Sequence, residues 1–178
     1  MNVALNLILA VTVVMAAFVD IKERRVPNWL VSFAVVSGFV LGSLQGSTYL
    51  VISVGGFVAG IAALFIPFAF GWMGAGDVKL FGAVGALIGY TILPRVLFYS
   101  CIVAGVLALL ALAFGHARQT SFKQLWTDCK FMLLTLRIGF PRGTSPESGA
   151  YSVPWGVAIG AGTIMAYYLD PSGTWAGF

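Results

Sequence analysis

Six apolar segments separated by short polar stretches leave this chain of 178 residues few ways to fold. They cover about residues 3–20, 28–45, 48–72, 77–92, 94–115 and 150–169. A helix that crosses a bilayer needs about 20 mainly apolar residues. In lipid the backbone must satisfy its own hydrogen bonds, so runs of this kind become helices. Hydrophobic residues make up 60% of the chain and charged residues 9%, whereas roughly a quarter of a soluble domain is charged. The expected fold is therefore all-α, a polytopic membrane helix bundle of about six transmembrane helices. Residues 1–178 form a single membrane-embedded domain in this reading. The fourth segment is short for a span, and Pro67 within the third predicts a tilt or kink.

The basic residues report on orientation. No Lys or Arg precedes the first apolar run, whereas Lys22, Arg24 and Arg25 follow it, the reverse of a cleaved secretory signal. With the N-terminus outside, six spans put residues 21–27, 73–79 and 116–149 on the cytoplasmic side. Those stretches hold nine of the ten Lys and Arg residues, as the positive-inside rule requires. The net charge of +4 is thus a mark of topology and does not call for a nucleic-acid partner. The expected surroundings are a lipid bilayer, in the cell inner (plasma) membrane.

The one extended polar region is 116–149. Its middle places Phe122, Leu125, Trp126, Cys129, Met132, Leu133 and Leu136 at helical spacing, among Lys123, Lys130 and Arg137. Such a segment either adheres to an anionic leaflet or simply connects two spans. Small residues recur four apart at Gly38/Gly42, Gly56/Gly60, Gly85/Gly89 and Gly156/Gly160, a spacing that lets helices pack closely in lipid. Cys101 and Cys129 form no CxxC, and His116 is the one histidine, so neither a metal nor another cofactor is expected.

Acids are scarce, six in all, and two of them stand where apolar runs meet polar turns. Asp20 ends the first run, just before Lys22, Arg24 and Arg25, with Pro27-Asn28 opening the next helix. Asp77 closes Gly74-Ala75-Gly76-Asp77, followed by Lys79. A carboxylate at the edge of a hydrocarbon-length segment is expensive and is usually kept for function. Gly74 and Gly76 would admit backbone conformations or close approaches that a side chain blocks. The same Gly-x-Gly-Asp string is also an ordinary helix N-cap, so that motif alone stays open between cap and catalyst. Together the two acids tell more. By the span count they fall on one membrane face, where adjacent carboxyl groups would share a proton. One then serves as base toward water while the other donates to a carbonyl.

At these residues the chain resembles the type IV prepilin peptidases, membrane aspartic proteases of the GxGD class. Asp20-x-Lys22 with Pro27-Asn28 downstream, and Gly74-x-Gly76-Asp77-x-Lys79, are similar to the two signature motifs of that family. Ser152-Val153-Pro154-Trp155-Gly156 is similar to its proline-containing final helix. The turn after Asp20 is brief and lacks a CxxC, so the resemblance is to the short, peptidase-only form of the tight-adherence (Flp) pilus type. Archaeal preflagellin peptidases are close relatives. The resemblance implies removal of a short basic leader from a prepilin or pseudopilin substrate at the cytoplasmic face. It implies Asp20 and Asp77 as the catalytic pair, Gly74 and Gly76 as backbone-shaping residues, and Lys22 and Lys79 as motif cations that tune the carboxylates or mark topology.

Two other readings compete. In a small proton- or cation-coupled transporter or channel subunit, the same aspartates would relay ions, although such acids usually lie near the bilayer midplane. In a structural scaffold they would only cap helices.

Overall fold

The computed structural model describes residues 3–23, 25–69, 73–113 and 154–169. Among them every regular element is helical: α1 (Val3–Glu23), α2 (Asn28–Gln45), α3 (Ser47–Ala69), α4 (Ala75–Ile88), α5 (Leu93–Ala113) and α6 (Trp155–Ile164), whose last turn widens into a π-helix at Met165–Leu169. The amphipathic stretch at 122–138, His116 and Cys129 lie outside the described residues, as does the rest of 116–149. Two units are distinguished, Met1–Ala104 with Pro154–Phe178, and Gly105–Val153. The first holds the candidate site and the helix contacts described below; of the second, the described part is the end of α5.

Among the described residues four helices are long and apolar enough to cross a membrane: α1, α2, α3 and residues Leu93–Leu110 of α5. The other two are shorter than a full span. α4 has 14 residues, about 21 Å at 1.5 Å per residue, because the chain turns at Gly89 with φ +79°. Trp155–Leu169 is likewise a short apolar helix.

The length of α4 is compensated by its position. Val78 and residues 80–88 are all buried, so the helix is apolar on every side and sheathed by protein. α3 runs antiparallel to it at very close range. A Cβ built on Gly56 would collide with the Gly85 carbonyl, and one on Gly60 would stand 2.8 Å from the Phe81 oxygen. Ser53 Oγ donates to the Ala86 carbonyl at 2.5 Å inside the same contact. Removing that buried bond with Ser53→Ala should lower stability by about 1 kcal/mol, read as a small drop in thermal midpoint.

α2 joins α3 through the single residue Gly46, whose φ of +126° suits glycine. α6 lies antiparallel along α1, with Gly160 against Val13 and Tyr167 donating to Asn6 Oδ1 at 2.9 Å. Beyond the C-terminal end of α4 a cavity of about 320 Å³ opens, lined by Leu5, Gln45, Tyr49, Ile52 and Gly89 among others. The opposite end gathers the C-terminus of α1 and the N-termini of α2, α4 and α6.

Candidate active site

Asp20 lies in the last full turn of α1 and is only 5% exposed. Its Oδ2 accepts the N–H of Gly156 at 2.8 Å and that of Val157 at 3.3 Å. Those amides belong to the first turn of α6, where N–H groups have no partner within the helix. Pro154, the residue before α6, supplies no side-chain cap. The carboxylate of α1 does so instead, from 136 positions away in sequence.

Asp77 occupies the first turn of α4, outside the four segments long enough to cross a bilayer, and is half-buried. Its Oδ2 accepts the N–H of Gly74 at 3.1 Å, which ties off the helix start. The capping reading of this motif is therefore realised. It still leaves the second oxygen of Asp77 without a hydrogen bond among the described residues. Burial pushes the Asp77 carboxyl up to about 6; the Gly74 N–H works against the rise and the charge on Asp20 adds to it. Asp20 and Asp77 thus stand at one end of the helix array, near enough for one charge to be felt at the other.

The remaining motif residues frame this end. Gly74 is extended at φ −79° and ψ 154°, a conformation open to any residue. A Cβ on it would lie 3.3 Å from Asp77 Oδ2, so what glycine provides there is room for the carboxylate. Gly76 faces Val26, where an added Cβ would make an ordinary contact at 3.4 Å. Lys79 is exposed and its Nζ donates to Asn28 Oδ1 at 3.4 Å, tying the starts of α4 and α2 together. Lys22 is exposed at the end of α1.

The amides of Gly156 and Val157 are the site groups that sequence reasoning passed over. The Gly156/Gly160 spacing pointed to helix packing alone, and a backbone N–H carries no mark of residue type.

A half-buried acid with its carboxyl held near 6, beside a nearly buried carboxylate fixed by two amides, is suited to moving a proton to and from a bound substrate. Neither the curated proteins nor the solved structures compared with the chain gave a match. A family model does match, over residues 7–109, more than half of the length and including Asp20, Asp77 and the connecting helices. By that match the chain belongs to the type IV leader peptidase family.

Proposed function

We propose that this leader peptidase works as an aspartic endopeptidase in which Asp20 and Asp77 activate a water between them. Family membership supports a membrane hydrolase that acts on prepilin-type substrates. The observation that supports the finer reading is that the two carboxyl groups lie in unlike surroundings at the same end of the helix array, where the charge on Asp20 is felt at Asp77. In this reading Asp20, whose Oδ2 accepts two N–H groups, is the ionised member that acts as the base. Asp77 is the member that retains a proton, since burial raises its carboxyl.

In the first step Asp20 takes a proton from water as the oxygen attacks the scissile carbonyl carbon, and Asp77 gives its proton to the carbonyl oxygen. The resulting gem-diol then collapses. Asp20 returns its proton to the departing amine nitrogen, the C–N bond breaks, and Asp77 regains a proton from a diol hydroxyl. Both side chains end as they began, with no covalent intermediate. Gly74 and Gly76 shape the backbone beside Asp77. Lys79 braces α4 against α2, and Lys22 marks the cytoplasmic edge, where the leader would be cut. The substrate class is a prepilin or pseudopilin of the tight-adherence type, within one peptidase domain in the inner membrane.

A pH–rate profile tests this. A carboxyl whose value is raised keeps its proton up to about pH 6 and loses it above. The general acid is then withdrawn, and kcat/KM for a prepilin-type substrate should fall by about tenfold for each further pH unit. A profile that stays flat well above neutrality would remove Asp77 from the role of acid.

A further inference from the structure

The first turn of α6 delivers two amides to one oxygen of Asp20, and the approach depends on residue 156 having no side chain. A Cβ there would stand 2.9 Å from both Cβ and Oδ2 of Asp20 and 3.0 Å from its Cγ. Atoms do not pack that closely, and Asp20 Cβ is anchored to the α1 backbone, so relief requires the carboxylate or the helix to move. This turn lies outside residues 7–109, the stretch that the family model matches. Gly160, one turn further along α6, also meets α1: a Cβ on it would be 3.1 Å from the Val13 oxygen and 3.5 Å from Ala17 Cβ. An explanation by helix packing alone therefore treats positions 156 and 160 alike. The hydrogen bonds separate them, because only the turn holding Gly156 grips a carboxylate.

We propose that Gly156 is a positioning residue for Asp20: by admitting the first turn of α6 against the side chain, it fixes the rotation and depth of the Asp20 carboxylate. The consequence for catalysis rests on Asp20 and Asp77 being the reacting pair. The coupling between Gly156 and Asp20 does not, and it is measurable in protein with no activity.

The experiment uses the purified full chain in detergent, with Gly156→Ala and Gly160→Ala each made in the wild-type and in the Asp20→Ala background. Leader removal from a prepilin-type substrate and the thermal midpoint are both recorded. In the wild-type background Gly156→Ala should lower kcat about 100-fold, the scale of an ångström-sized misplacement of a reacting group. KM should stay within about twofold and Gly160→Ala should keep kcat within about threefold, since neither change removes substrate binding. Gly156→Ala should also lower the midpoint more in wild-type protein than beside Asp20→Ala, where Oδ2 and Cγ are gone and the contact with the Cβ of residue 20 remains. Gly160→Ala should shift the midpoint equally in both backgrounds. If Gly156→Ala fails to fold alone yet folds beside Asp20→Ala, the coupling is upheld.

Equal midpoint losses from Gly156→Ala in the two backgrounds, or an undiminished kcat, would overturn the proposal. Asp20→Asn separates this from the wider reading. If that variant cleaves normally, Asp20 is not catalytic, while the melting cycle still reports whether Gly156 and Asp20 are coupled.

Discussion

Asp77→Asn and Asp20→Asn are each expected to abolish leader removal while leaving the protein folded and inserted. Asparagine preserves shape, and its Oδ1 can still accept the Gly74 N–H at position 77, or the Gly156 and Val157 amides at position 20. The helix starts that depend on those bonds should survive. What disappears is the exchangeable proton, and removal of a general acid or base costs on the order of a thousandfold in rate. Co-expression with a prepilin-type substrate reads the result as the mobility shift between precursor and mature forms, with the peptidase quantified in the membrane fraction. A variant that processes at the normal rate would strike that residue from the mechanism. Loss of processing together with loss of the protein from the membrane would point to the scaffold reading instead.

Gly56→Val should have the largest effect on stability. At this crossing the α3 and α4 backbones are in contact, and any Cβ on Gly56 meets the Gly85 carbonyl. Backbone atoms cannot rotate out of the way, so the helices must part. Overpacking in a fitted core costs about 1–3 kcal/mol, sometimes more, a large part of a typical stability of about 5–15 kcal/mol. A sharply lower thermal midpoint and poor accumulation in membranes are expected. Gly105→Ala serves as the control, because nothing among the described residues lies within 4 Å of a Cβ at that position, and alanine there should be neutral or mildly favourable. Equal midpoints for the Gly56 and Gly105 variants would contradict the close crossing.

Apolar patterning located the helices well and their ends less well. The second segment coincides with Asn28–Gln45, whereas the fourth, read as about 77–92, is Ala75–Ile88. Hydropathy continues through Tyr90 and Ile92, but the positive φ of Gly89 stops the helix, and a dihedral angle leaves no trace in an apolar count. Of the six segments read from the sequence, four form described helices long enough to cross; α4, already short in the sequence, is enclosed by its neighbours. Asp20 and Asp77 were conspicuous because acids are so rare in this chain. At Asp77 the capping half of the alternative is realised, and capping does not exclude the other half, since one oxygen caps and the second has no hydrogen bond among the described residues. The grip of α6 on Asp20 was invisible for a different reason: it is made by main-chain amides brought in from across the fold.

The enclosure of α4 has a consequence for how this enzyme meets membranes of different thickness. Helices that touch acyl chains answer a thicker or thinner bilayer by tilting or by deforming the lipid around them. α4 has protein on all sides instead, so the depth of its acidic end is governed by α1, α2, α3 and α6. Lipid composition should therefore change how the outer helices lean far more than it changes where along the substrate the cut is made.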